Sequence, residues 1–503
     1  MTTTRSEFEA TLAQSRVVTV IRSVFLDSVS PAALYDALTE SRPGTFLLES
    51  AEQGGIWSRY SFIGLSSYGC VSAQADATEW IDYGLSAEEA FGGDIPSAPL
   101  DALDALYARW KTPDHHELPP LTSGLVGFIG WDAIRQLENL PDAPPAESGV
   151  PSQSMLFVRD LLIIDHRTSH IHVCTAVLNT AGATTLWDEA QERLSSIVQR
   201  LTTSVDIAPF AVPDGVVVEP SSRSTKEDFL HAIARSKRHI VDGDVFQVVI
   251  SQRFDTPVTA RPLEVYRMLR ALNPSPYMYL LSLETPVGEP FQVVGSSPEA
   301  LIKVEDGRAF SHPIAGSRPR GATPEDDVEL AADLLADAKE RAEHLMLVDL
   351  ARNDLSRVCE PGTVEVTEFM AVERFSHIMH LVSSVEGTVA PDVTPLDVFR
   401  ATFPAGTLSG APKPRALEII DALEPASRGV YGGVVGYVGF GGDSDLAIAI
   451  RTAVLMNGVA TVQAGAGLVA DSDPESEYLE TVHKAAAPLR AVVTANALCA
   501  PLN

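Results

Sequence analysis

Basic residues are scarce in this 503-residue chain: 37 Lys and Arg stand against 67 Asp and Glu, a formal charge of -30. A surface so negative repels phosphate backbones and anionic lipid, so neither nucleic acid nor a membrane is an expected partner. A site for an anionic ligand must therefore gather Arg and Lys locally. Cysteine is also sparse. Cys70, Cys174, Cys359 and Cys499 are scattered and form no CxxC pair. That excludes a disulfide framework and a zinc or redox motif, and it suits a reducing, cytoplasmic setting. No apolar run is long enough to span a bilayer, and MTTTRSEFEA lacks the apolar core of a secretory leader. HExxH, GxSxG and cysteine-nucleophile signatures are absent as well.

What is present is a normal globular balance, 45% hydrophobic and 21% charged, in a chain long enough for two domains. Residues 1–205 read as an N-terminal domain and 224–503 as a second domain. Between them, 206–223 holds three prolines and no helical period, the composition of a linker. Strands and helices alternate irregularly, not in the strict βα repeat of a doubly wound fold. The expectation is an α+β architecture with large mixed or antiparallel sheets and outer helices.

The central stretch is KERAEHLMLVDLARND (339–354), which predicts a helix capped by Asp337 with Glu340 closing a capping box. Leu345, Met346 and Leu350 share helical spacing with Ala338 and Ala342, which predicts the buried face. Glu340 and Glu343 fall on another face, one turn apart. A second acidic helix, DPESEYLETVHK (473–484), places Glu477, Glu480 and Lys484 at one-turn intervals. Two readings stand for these carboxylates: solvated helix faces with Glu–Lys pairs, or an oxygen cage for a hard divalent ion if the helices meet.

Small-residue segments lie between these helices. QAGAGLVA (463–470) matches GxGxxA, but polar Asp471–Asp473 follows where a nucleotide-binding helix should already run. Its small residues suit backbone N–H groups presented to a carboxylate. FPAGTLSGAPKPR (403–415) and PIAGSRPRG (313–321) read as loops shaped around a ligand or tight packing. Arg451 sits inside the apolar stretch LAIAIRTAV, which predicts a buried mid-strand guanidinium in need of an anionic partner. His377 and His380 lack a third ligand at metal-binding spacing, which favours structural or catalytic work over metal binding.

These segments, with GDVFQVVISQ (243–252), NPSPYMY (273–279), GSSPE (295–299), LLES (47–50) and RYSFIG (59–64), occur in the order found in the chorismate-utilising enzymes. Within that family the chain resembles the large subunits (component I) of anthranilate synthases over nearly its whole length. The resemblance implies a layered αββα fold and conversion of chorismate and ammonia to anthranilate and pyruvate. It implies Mg²⁺ on Glu343 and Glu480, supported by Glu340 and Glu477. Glu299 would be the general acid for the departing 4-hydroxyl, and His380 would serve the elimination that releases pyruvate. Tyr431, Arg451, Lys484 and the backbone of Gly465, Ala466 and Gly467 would hold the enolpyruvyl carboxylate. Gly316 and Ser317 would meet the ring carboxylate, with Ser317 where the family commonly has Thr.

Two positions choose among branches. Family members that add water carry a lysine base at Gln247, and aminodeoxychorismate synthases carry a lysine at Ala315. Both departures point to ammonia chemistry and anthranilate. Nothing matches a glutaminase nucleophile block, so ammonia is expected from a separate glutamine amidotransferase subunit (component II). The resemblance also implies feedback inhibition by tryptophan at Glu49, Ser50, Pro276, Tyr277, Met278 and Tyr437. There a carboxylate or hydroxyl would take the ammonium and apolar walls the indole. The alternatives are component I of aminodeoxychorismate synthase and a non-catalytic, tryptophan-sensing homologue. Glu299, Glu343, Glu480 and Arg451 argue against the second.

Overall fold

The computed structural model describes residues 1–27, 29–50, 59–74, 77–113, 118–146, 149–201, 210–212, 220–374 and 378–498. Most of the expected linker, 206–209 and 213–219, lies outside them, as does His377.

The architecture grows from a long strand, Tyr60–Gln74, which pairs with Thr45–Glu49 on one side and Gln153–Asp165 on the other. Two arms leave this hub. The first runs from Thr45–Glu49 through Tyr277–Glu284, Pro290–Ser297, Thr452–Met456 and Val459–Leu468 to Gln247–Pro257. The second runs from Gln153–Asp165 through Gly124–Ile129, Val434–Gly439, Ser444–Ile448, Ala300–Glu305 and Arg308–Ser311 to Ile378–Thr388. Ile314–Pro319 and Glu365–Arg374 flank that last strand. Every strand pairing among the described residues is antiparallel, so strands from 1–205 and from 224–503 share one hydrogen-bonded network.

Side chains sort the layers. Phe46, Phe128, Leu156, Leu281, Phe291 and Val435, drawn from both arms, pack together as an inner core. On the outer face of the first arm, Leu34, Leu194, Leu269 and Leu489 bring four helices onto Leu280, Val294 and Val462. On the second arm, Leu103, Val348, Phe399 and Leu417 do the same against Leu125, Ile302 and Leu446. Burying each sheet on both faces produces the helix–sheet–sheet–helix order expected of the sequence. No helix among the described residues is long and apolar enough to cross a membrane.

Several local expectations need correction. Helix Ala338–Leu355 buries His344, Leu347, Val348, Ala351 and Leu355, while Leu345 is 53% exposed. The buried stripe is rotated because the helix packs on strands Ile314–Pro319 and Ile378–Thr388, leaving the opposite face to solvent. Asp337 accepts from the Lys339 and Glu340 amides, but its own N–H bonds to Asp333 and Leu334, so the reciprocal half of the box is absent. PIAGSRPRG is not a loop: Ile314–Pro319 is a strand with a bulge between Ala315 and Ser317. QAGAGL is likewise strand, paired from end to end with Gln247–Pro257. Arg451 is not mid-strand. It breaks the run between Ser444–Ile448 and Thr452–Met456 with φ of 51°, which turns its side chain out of the ladder. The amphipathic helix Pro262–Leu272 was not anticipated, although Pro262 at its first position and Leu263, Tyr266 and Leu269 on one face signal it.

Candidate active site and a second cavity

Strand ends and two helices bring the predicted catalytic residues together. Helix Pro474–Asn496 is capped by Asp473, which accepts from the Ser476 amide, with Pro474 at its first position. From it, Lys484 extends its ammonium to Glu480 (2.6 Å) and to the carbonyl of Gly465 (3.1 Å). The Glu–Lys pair of the solvated-face reading is therefore present, but it faces a strand of the site. Glu343, on the other acidic helix, has its pKa raised by burial and then by the charges of Glu340 and Glu480, with Lys339 and Lys484 opposing. Glu477 is raised by burial and by Glu480, against a hydrogen bond from Ser472. The charge of Glu480 thus reaches Glu343 on the other acidic helix.

Arg451, Glu480 and Lys484 line one cleft of about 470 Å³, and Gln247, Glu343 and Lys339 line another of about 490 Å³. Burial lowers the pKa of Arg451, while the nearby Tyr431 hydroxyl and Glu480 charge act the other way. A side chain at Gly465 would come within 2.7 Å of the Tyr431 hydroxyl, and one at Gly467 within 2.7 Å of Gln247 Nε2. The glycines thus keep the backbone against the two side chains. Ala466 points the other way and is fully buried, so only its main chain can meet a ligand. Tyr431 stacks near Arg428, whose buried pair with Glu424 (2.6 Å) also ties Leu408 and Val249 carbonyls into place.

Glu299 lies between strands Pro290–Ser297 and Ala300–Glu305 and opens onto a small cavity of about 60 Å³ shared with Thr407, Leu347 and Asp354. Burial pushes its pKa up to about 7, against a 3.0 Å hydrogen bond from Thr407 and the positive charge of Lys484. A carboxyl group poised at neutrality is what general acid catalysis requires. Thr407 was not singled out in the sequence, although it lies in the FPAGTLSGAPKPR segment.

His380 Nδ1 lies 3.0 Å from the carbonyl of Gly316, so Nδ1 carries the proton and Nε2 is the basic nitrogen. Burial, then the charge of Arg451, lowers its pKa against that hydrogen bond, which keeps the imidazole neutral. Gly316 has φ of 70°, and a Cβ there would sit 3.0 Å from Glu340 Oε2. Ser317 is exposed and lies opposite His380 in the strand register.

Among the described residues no group of three or more His, Cys, Asp or Glu is arranged to hold a metal alone. The donor set nevertheless fits Mg²⁺: hard carboxylate oxygens from two helices, with Glu343 and Glu477 each raised in part by the charge of Glu480, and water and substrate left to complete the shell.

The six residues expected to bind an inhibitor, Glu49, Ser50, Pro276, Tyr277, Met278 and Tyr437, all line one cavity of about 450 Å³. It lies where Thr45–Glu49 pairs with Tyr277–Glu284 and faces Val434–Gly439 of the other arm. The Ser50 hydroxyl is buried without a hydrogen-bond partner among the described residues. The Glu49 carboxylate, however, is turned to Arg270 (2.8 and 3.1 Å) and to the Tyr266 hydroxyl (2.7 Å). It is a structural brace between strand and helix, not an open acceptor. Asp445, a half-buried carboxylate that the sequence reading passed over, lines the same cavity.

A family model described as chorismate binding enzyme matches residues 69–490. Anthranilate synthase component 1 of Arthrobacter globiformis is 49% identical over 500 residues, 98% of this chain and 93% of that protein. The protein of the same name from Acetivibrio thermocellus is 40% identical, covering 95% of each. Among solved structures, anthranilate synthase component I of Streptococcus pneumoniae superposes with a TM-score of 0.74 at 36% identity, covering 87% of this chain and 93% of that one. A menaquinone-specific isochorismate synthase from Escherichia coli has the same fold, with a TM-score of 0.70 at 17% identity over 97% and 98% of the two chains.

Proposed function

The chain belongs to the chorismate-binding enzyme family, and from that premise we propose that it acts as component I of an anthranilate synthase. It converts chorismate and ammonia to anthranilate and pyruvate, a step of tryptophan biosynthesis. The observation that carries the chemistry is Glu299, a carboxyl raised to about 7 within the field of Lys484.

Arg451, Tyr431 and Lys484 hold the enolpyruvyl carboxylate, drawing an anion into a protein whose net charge would otherwise repel it. Gly465 and Gly467 let the strand backbone approach it. Gly316 and Ser317 meet the ring carboxylate at the strand bulge. Glu343 and Glu480 would hold Mg²⁺, with Glu340 and Glu477 in support. The ion, when bound, neutralises the ring carboxylate. Glu299 hands its proton to the departing 4-hydroxyl as the amine adds at the ring carbon next to the carboxylate-bearing one, the ring double bonds shifting to expel the hydroxyl as water. Gln247 faces the site as a neutral amide, so no side chain there activates water, and ammonia, already nucleophilic, reacts in its place. His380, neutral with Nε2 basic, takes the ring proton during the elimination that releases pyruvate.

Component I implies a second component, and we assign it the role of a glutamine amidotransferase that supplies ammonia; a cytoplasmic location goes with that role. The test is incubation of the purified chain with chorismate, MgCl₂ and ammonium at alkaline pH, with products identified by mass and fluorescence. Anthranilate with ammonium and none with glutamine is expected. A 4-amino-4-deoxychorismate product, or glutamine-dependent turnover by the single chain, would overturn the assignment.

The cavity of Ser50, Pro276, Met278 and Tyr437 is assigned to feedback inhibition by tryptophan. Its apolar walls suit an indole, and its place between the arms lets an occupant bias their arrangement. Ser50→Phe fills the cavity and should raise the inhibitory tryptophan concentration more than about tenfold, a loss exceeding 1.4 kcal/mol of binding. Turnover without tryptophan should persist. Unchanged inhibition in a rate titration would remove the site. Linkage adds a check: tryptophan and chorismate must weaken each other's binding by the same factor.

A further inference from the structure

We infer that the buried ion pair of Glu424 and Arg428 is a positioning element of the reaction: it holds the loop that carries Thr407, and through that loop the carboxyl of Glu299. The inference rests on the reading of Glu299 as the proton donor and specifies what keeps that donor in place. The Glu424 and Arg428 side chains are almost wholly buried, at 3% and 1% exposure. A buried ion pair is often no more stabilising than apolar residues of the same volume, so stability alone does not account for it. Its hydrogen bonds do. Arg428 Nε and Nη2 donate to the two Glu424 oxygens at 2.9 and 2.6 Å. Nη1 donates to the Leu408 carbonyl at 2.7 Å, and Nη2 also donates to the Val249 carbonyl at 2.8 Å.

These targets belong to the site. Leu408 follows Thr407, whose hydroxyl donates to Glu299 at 3.0 Å. Val249 donates its own N–H to the Ser409 carbonyl at 3.0 Å, so one guanidinium clamps the loop to strand Gln247–Pro257. Glu424 in turn accepts from the amide and the hydroxyl of Ser251, both at 2.8 Å. Ser251 stands opposite Gly465, whose carbonyl receives Lys484. The guanidinium also lies 4.3 Å from the ring centre of Trp131, in the N-terminal half, and 5.6 Å from that of Tyr431. A planar, permanently charged fork of donors holds all of these at once, which the single nitrogen of a lysine cannot do. The other charged or titratable groups around Glu299 are Lys484, His312, and Asp354 with its partner Lys413. None of them bonds to Arg428 among the described residues, so a change at Arg428 reaches Glu299 through the Thr407 loop.

The test follows the descending limb of kcat/KM with pH, at fixed free ammonia, on the full chain with chorismate and MgCl₂. The Thr407 hydrogen bond favours the ionised form of Glu299 and so lowers its pKa. Losing that bond keeps Glu299 protonated to higher pH. Arg428→Lys keeps a charge beside Glu424 but releases the loop. Its limb should move up by about half to one pH unit, the worth of one hydrogen bond. Below the limb, kcat/KM should fall by up to about 100-fold, the cost of a misplaced reacting group. Thr407→Val should move the limb by the same amount, and Arg428→Lys/Thr407→Val should move it no further, because both changes act on one bond. Should Arg428→Lys fail to fold, Glu424→Leu/Arg428→Met, which leaves no buried charge unpaired, is read in the same way. A purely structural pair lowers the rate without moving the limb. A limb that stays or moves down in the Arg428 or Thr407 variants, or additive shifts in the combined variant, therefore overturns the proposal. An unmutated enzyme with no descending limb removes instead the reading of Glu299, and this inference falls with it.

Discussion

Glu299→Gln is expected to lower anthranilate formation by about 10²–10⁴-fold, the usual contribution of a positioned general acid. Gln keeps the shape and the hydrogen bond from Thr407 but carries no proton to give, so the fold and substrate affinity should survive. The pH dependence follows from the same group. Burial raises its pKa to about 7, so the catalytically competent, protonated form predominates below pH 7 and declines above it. At a fixed concentration of free ammonia, kcat/KM should therefore fall about tenfold per pH unit above roughly pH 7, since each unit removes nine-tenths of the remaining protonated form. The ammonia must be held fixed, because its own deprotonation raises the rate with pH and would mask the fall. In Glu299→Gln the descending limb should vanish. Activity within tenfold of the unmutated enzyme, or an unchanged limb, would show that the proton comes from elsewhere.

The second large effect concerns the carboxylates of the two acidic helices. Glu343→Gln or Glu480→Gln should each reduce turnover by more than about 100-fold, since removing a metal-ligating oxygen exceeds the 10–100-fold seen for its supporting partners. Neither change should unfold the protein. Glu343 is repelled by Glu340 and Glu480, so neutralising it relieves strain between the helices, and the melting temperature should hold or rise. Loss of turnover with an unchanged or raised melting temperature separates a ligand role from a structural one. Removal of Mg²⁺ by chelation should mimic the variants in the unmutated enzyme and have little further effect on them. Near-normal turnover in either variant would dissolve the metal assignment.

Much of this site was legible because its residues are set by short-range rules. One-turn spacing put Glu340 with Glu343 and Glu477 with Glu480 on common helix faces, and the caps at Asp337 and Asp473 form as read. Errors arose where local pattern and long-range pairing disagree. Gly and Pro in PIAGSRPRG read as a loop, yet pairing with Ile378–Thr388 draws the segment into a strand and confines Gly316 to a bulge. The apolar flanks of Arg451 read as one strand, yet the chain turns there to join two different neighbours, Val434–Gly439 and Pro290–Ser297. Glu49 lines the expected cavity, but the sequence could not show Arg270 and Tyr266 reaching its carboxylate from a helix more than two hundred residues away.

The sequence by itself determined the chemical inventory: which carboxylates, which guanidinium and which imidazole are available, their order along the chain, and the family to which they belong. Those are properties of residue identity and of spacing within single elements. The tertiary structure decided which of them meet. Antiparallel pairing along two arms, each begun in the N-terminal half, brings Glu343 towards Glu480, Lys484 to Gly465 and Arg428 to Leu408. Register across a sheet depends on every strand between, and burial, which raises Glu299 to about 7, exists only once the layers close.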